Sequence, residues 1–175
     1  MQKILLFFIA ISYIFGITKS DIYNFYKQKD YKNSCNKGVW ILSKNKHDDT
    51  YQSIVALSCV KTDMINTAIR ISKTMNHTPM GRQNASYISS LFLIKKLLLQ
   101  LLYDNIDITN LSLPQSNHPL SIIFENISHK NFSKVDKTYI IKFQHKKYIL
   151  SPEKNNKFMI KIYKDNNLIS THIYW

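Results

Sequence analysis

Apolar positions along this chain follow two different periods, and the change from one to the other divides it. From Asp21 to about residue 132 they recur three and four residues apart, the spacing that turns one face of a helix toward a core. Asp21 is placed to cap a first helix carrying Ile22, Phe25 and Tyr26. "KQKD" reads as a tight helix–helix turn, after which Tyr31, Cys35, Val39 and Leu42 continue at helical spacing. Beyond "SKNKHDD" a further helix opens at Asp48 or Asp49, with acids at its positive end, and carries Tyr51, Ile54, Val55 and Cys59. A turn at Asp63 leads to Ile65, Ala68, Ile69 and Met75. "FYKQKDYKNSCNKG" and "LSCVKTDMINTAIR" thus share an aspartate turn followed by an apolar helix, a degenerate hairpin rhythm.

Thr78-Pro79 opens a segment that becomes apolar through "SYISSLFLIKKLLLQLLYDN". Leu91, Ile94, Leu98 and Leu101 form one stripe there, and the other leucines leave little polar face, which suits the middle of a bundle. "DNIDITNLSLPQSNHP" is a polar connection, and Pro119 fits the first turn of a short helix over Leu120 to Ile127. From about Lys137 the pattern alternates. "KTYIIKFQHKKYIL", "KFMIKIY" and "NLISTHIYW" read as strands, and "SPEKNN" and "KDNN" as turns between them. The expectation is an α+β chain: a helical domain of four to six helices over residues 21–132, then three or four antiparallel strands over 133–175 packed on the helices.

The first twenty residues, MQKILLFFIAISYIFGITKS, combine a basic start at Lys3, an apolar run from Ile4 to Ile17, and small residues at Thr18 and Ser20. That is the layout of a cleavable export signal with the cut at Ser20–Asp21. The run is shorter than the about 20 apolar residues a spanning helix needs, and Lys95-Lys96 break the longest later stretch, so no membrane span is expected after signal removal. Export to a periplasmic compartment is the expected localisation.

Export changes how charge and sulfur are read. Removal of residues 1–20 leaves 22 basic against 11 acidic residues, a formal charge of +11. Such a charge bears on attraction to anionic surfaces and not on fold. Lysine is spread evenly with Asn and Ile, so a bias of the coding sequence explains it as well as a binding role does. Nucleic acid is not an expected partner. The strand region interleaves Lys142, Lys146, Lys147, Lys157 and Lys161 with Tyr139, Phe143, Tyr148, Phe158 and Tyr163. That mixture suits a stacking platform, although one wet face of an antiparallel sheet produces the same alternation.

The two cysteines, Cys35 and Cys59, lie at similar heights on helices read as antiparallel, so a disulfide is expected in an oxidising compartment. A catalytic thiol would need a base beside it, and the histidines at 47, 77, 118, 129, 145 and 172 carry no nucleophile signature. There is no CxxC, CxxCH, HExxH or glycine-rich phosphate loop, and only three glycines in all. His47-Asp48-Asp49 offers metal-ligand atoms, but capping of the next helix explains these residues more simply. No catalytic residue, metal or cofactor is therefore assigned. Arg82 and Asn84, at the mouth of the central helix, are a candidate contact for an anion or a partner.

In order along the chain, "YKQKDYKNSCNKG", "SIVALSCVKTDMIN", "RQNASYISSLFLIKKLLLQLLYDNIDITNLSLP" and "HPLSIIF" resemble a group of short, uncharacterised periplasmic proteins of epsilonproteobacteria. The first two helix pairs also look like tetratricopeptide or Sel1-type hairpins, in rhythm and not in small-residue pattern. The resemblance implies location and architecture but brings no activity. The expected function is a non-enzymatic periplasmic interaction or scaffold protein with an envelope protein partner. A basic module for envelope polyanions is the first alternative and an envelope hydrolase the second.

Overall fold

A computed structural model describes residues 16–175. The apolar run of the expected export signal lies, as far as Phe15, outside the described residues. Six helices are followed by one antiparallel sheet: α1 (Lys19–Lys27), α2 (Tyr31–Trp40), α3 (Asp49–Lys61), α4 (Ile65–Ser72), α5 (Pro79–Tyr103), α6 (Pro119–Ser128), then β1 (Ser133–Val135), β2 (Thr138–Phe143), β3 (Lys146–Glu153), β4 (Lys157–Lys164) and β5 (Asn167–Tyr174). The strands pair strictly in chain order. The expected α+β architecture of a helical part and a terminal meander is the architecture found.

Local chemistry sets most helix starts. Asp21 does not cap α1 from outside. Thr18 is the N-cap, its hydroxyl accepting from the Asp21 amide at 3.3 Å, while the Asp21 carboxylate accepts from the Thr18 amide at 2.8 Å. This reciprocal capping box begins the helix at Lys19, so the expected boundary at Ser20–Asp21 falls within its first turn. Asp30, Asp48 and Thr78 cap α2, α3 and α5 through bonds to the amides of Asn33, Tyr51 and Gly81.

The turns α1–α2 and α3–α4 share a bond pattern at an offset of 34 residues. Asp30 N–H donates to Phe25 O at 2.9 Å, and Met64 N–H, 34 positions on, donates to Cys59 O at 2.8 Å. The left-handed residue of each turn is Lys29 in the first and Asp63 in the second. The two aspartates are therefore not equivalent. Asp30 caps α2, whereas Asp63 sits one position too early to cap α4.

Consecutive helices pack side by side, and α3 also lies against α1 and α5. Gly38 of α2 is a point of close approach, because a Cβ there would lie 2.6 Å from a Val55 methyl of α3. The Tyr51 hydroxyl donates to the Gly38 carbonyl at 2.7 Å across the same contact. The expected disulfide is present: Cys35 of α2 is bonded to Cys59 of α3, joining the first hairpin to the second.

By length and composition α5 could cross a bilayer, but here it is the central helix, packed on α3, α4, α6 and β3. Its buried stripe is Ile88, Leu91, Ile94, Lys95, Leu98 and Leu102, while Leu93 is exposed. The stripe turns slightly from the one expected, and Lys95 falls inside it.

Five strands replace the three or four expected, for two reasons. Ser133–Val135 adds a short edge strand, and "KTYIIKFQHKKYIL" is not one strand but the hairpin β2–β3, turning at Gln144 with φ 53°. That turn contains no Gly, Asn or Pro, the residues by which a turn is recognised in sequence. Tyr139, Ile141, Tyr148, Leu150, Phe158 and Ile160 form the inner face and join the helices in one continuous core.

Candidate functional site

The sequence candidates do not converge. The Arg82 guanidinium donates to the Asn76 carbonyl at 2.9 Å, bracing the connection into α5, and Asn84 lies half-buried in the same first turns. His47, Asp48 and Asp49 diverge as well. Asp48 caps α3 and pairs with Lys19 at 2.6 Å, while Asp49 turns into the core to accept from the Thr78 amide at 2.6 Å and hydroxyl at 3.0 Å. Burial works against the Asp49 carboxylate, yet those bonds hold it below the ordinary carboxylate range. His47 instead meets His77 at 3.4 Å. Among the described residues, no three metal-ligating side chains cluster.

The polar convergence lies elsewhere, where the α3–α4 turn, α5, the start of α6 and β5 meet. Asp63, projected by the left-handed turn, accepts from His172 Nδ1–H at 2.9 and 3.0 Å and from the Tyr174 hydroxyl at 2.6 Å. With Nδ1 protonated toward the carboxylate, Nε2 of a neutral imidazole is an acceptor. Ser170 Oγ stands 3.1 Å from it. Ser170, His172 and Tyr174 alternate along β5 and so share one face. Burial, reinforced by the Asp63 charge, drives the Tyr174 phenol well above its usual range.

His118 stands at the other wall of this junction. Its Nδ1 accepts from the Leu120 amide at 3.2 Å as the N-cap of α6, and its ring also bonds the Val60 carbonyl. Burial pulls its pKa to about 4, so it is neutral near pH 7 and committed to capping. A cleft of about 260 Å³ lies between the two histidines, walled also by Lys61, Asp63, Tyr87 and Asn117.

On the far side of Asp63 is Lys95, 1% exposed. Its ammonium donates to Asn66 Oδ1 at 2.5 Å and to the Trp175 main-chain oxygen at 2.6 Å. Burial, and secondarily the neighbouring Lys96 charge, lower its pKa to about 8.

Carboxylate, imidazole and hydroxyl thus stand in the order of an acyl-transfer triad, with the tautomer such a triad requires. Two features separate this cluster from a built active site. Ser170 adjoins the irregularity at Ile169, where the pairing of β5 steps from Ile162–Ser170 to Tyr163–Leu168, but it is not among the residues walling the cleft. The same bonds also tie β5 to the α3–α4 turn. No sequence pattern announced the junction, since Asp63 and His172 are 109 positions apart and neither belongs to a motif.

No known family, curated protein or solved structure matches this chain.

Proposed function

We propose that this chain is an exported, non-enzymatic interaction module whose stacked helical hairpins hold an envelope protein partner. One observation carries the reading: hairpins α1–α2 and α3–α4 use the same turn bonds at an offset of 34 residues and stack through α3. That is the spacing of tetratricopeptide-type hairpins, which bury their cores between neighbours and present extended surfaces to proteins. The Cys35–Cys59 bond suits an oxidising compartment, in agreement with an export signal at the start of the chain. Trp40, 73% exposed at the end of α2, is the kind of large rigid side chain that anchors a protein contact.

Photo-crosslinking from position 40 in intact envelopes tests this reading. A defined protein adduct, lost when the photoreactive group is moved to exposed Lys73, is the expected result. Recovery of the uncrosslinked chain alone would overturn it.

A serine-hydrolase reading is favoured by the Asp63–His172–Ser170 order. A fluorophosphonate probe decides between the two. Labelling of Ser170 that disappears in His172→Ala would replace the interaction reading, and an unlabelled Ser170 removes the hydrolase.

A further inference from the structure

The sheet has a second face, and it is neither core nor an ordinary wet surface. Alternate residues of β2–β5 point away from the helices, and the pairing register sorts them into four cross-strand rows. The first runs Lys142, Lys147, Tyr163, Leu168; the second Ile140, Ile149, Lys161, Thr171; the third Ser151, Met159, Ile173; the fourth Glu153, Lys157. None of these residues is buried, and none packs against the core. An antiparallel sheet with one solvated face normally turns polar residues outward. Here Ile140, Ile149, Met159, Leu168 and Ile173 lie outward instead, with Leu168 51% and Ile173 44% exposed.

The charge on this face is predominantly basic. Its rows hold four lysines against one carboxylate, Glu153, which stands opposite Lys157 at one end, and Lys142 stands directly opposite Lys147, a like-charge pairing that destabilises a sheet. At the same sheet end Lys146 stands opposite Lys164. Among the described residues no carboxylate stands within ion-pair distance of Lys142, Lys146, Lys147 or Lys164, and the acid in the hollow lined by the first three is Asp165. Lys147 lies over the Tyr163 ring at 4.8 Å, and Lys157 over the Trp175 ring at 5.4 Å.

Aliphatic side chains interleaved with lysines, with Tyr and Trp at the margin, match the chemistry of a lipid headgroup boundary. A soluble polyanion has no use for the aliphatic rows. A stacking platform for bases or sugars needs aromatic faces, and Tyr139, Tyr148 and Phe158 are turned into the core. An acidic protein surface would leave the five aliphatic residues against polar groups. We infer that the outward face of the sheet is a platform that lies on an anionic phospholipid bilayer, its lysines at the phosphates and its aliphatic rows in the headgroup boundary. This surface is distinct from the helical hairpins proposed to hold a protein.

Co-sedimentation of the full chain with phosphatidylglycerol–phosphatidylethanolamine vesicles, against phosphatidylcholine vesicles, tests the inference. All variants are compared in the same full chain, so any contribution of the N-terminal apolar run is common to them. Binding to the anionic vesicles only is expected, weakened by 0.5 M salt, where the screening length is shorter than the about 8 Å at 0.15 M. Near an anionic surface each lysine contributes about fivefold, so Lys142→Gln, Lys147→Gln and Lys161→Gln together should lower partitioning by about a hundredfold. Leu168→Ser with Ile173→Ser should weaken binding to vesicles while leaving retention on immobilised heparin unchanged. Thermal melts establish that both variants fold.

Three outcomes overturn the platform. Equal binding to neutral vesicles removes its electrostatic basis. Folded glutamine variants that bind as the wild type move the site elsewhere. Folded serine variants that bind vesicles as the wild type identify a soluble polyanion as the ligand.

Discussion

At the residue scale, two buried charged side chains, Asp49 and Lys95, constrain what surrounds them. Gly81 begins α5 under the Asp49 carboxylate, and a Cβ there would lie 2.2 Å from Oδ2. The oxygen cannot retreat without losing its bonds to Thr78, so Gly81→Ala should cost about 2 kcal/mol, an overpacking penalty. Urea unfolding measures it, and the penalty should shrink in an Asp49→Ala background, where the obstacle is gone. Lys95 contributes through pH. Its folded-state pKa of about 8 lies below the ordinary lysine value of 10.5, so burial of the charge destabilises the fold fully below pH 8. The destabilisation is relieved as pH rises from 8 toward 10.5. The wild type should therefore gain stability relative to Lys95→Met over that interval, by roughly 2–3 kcal/mol, in melts at pH 7 and pH 10. Neither role is visible in sequence. "IKKLLL" places Lys95 beside Lys96 with nothing to show that one points inward, and Asp49 reads as a helix-start acid like Asp48.

At the element scale, the junctions between helices and between helix and strand decide rigidity. The Cys35–Cys59 bond closes a separation of 24 residues, worth about 3 kcal/mol in the loop-entropy account. Reduction should lower the melting temperature by about 6–12 °C, measured with and without reductant after alkylation. This link was legible in sequence, because an even cysteine count, an export signal and antiparallel helices all constrain the same pair. The β5 latch was not. Asp63 holds β5 by accepting from both His172 and Tyr174, so Asp63→Asn should selectively raise amide exchange across Ser170–Tyr174. Protection in β2 and β3 should remain. The second turn repeats the first but carries its aspartate one position earlier, at the left-handed residue, which frees the carboxylate for this bond; that offset appears only once the turn dihedrals are known.

At the scale of the whole molecule, helices and sheet share one core. Ile88, Leu91 and Leu98 of α5, Ile123 and Phe124 of α6, and the inner residues of the sheet belong to the same buried cluster. Helical signal at 222 nm and near-ultraviolet signal should therefore melt in one coincident transition, whereas separable transitions would divide the chain at residue 132. A helical part of four to six helices followed by a meander could be read from periodicity, since each amphipathic stretch carries its own record of which face is buried. Local pattern alone carried the helical part and the terminal meander, the turn at Lys29-Asp30, the helix starts at Asp48-Asp49 and Thr78-Pro79, and the cysteine pair. All of these depend on residues close in the chain, or on a pairing with one possible partner. The meeting of Asp63 with His172, the burial of Lys95 and the basic, aliphatic outer face of the sheet were decided only by tertiary structure. Each depends on which faces of distant elements meet, and periodicity describes a face without naming what covers it.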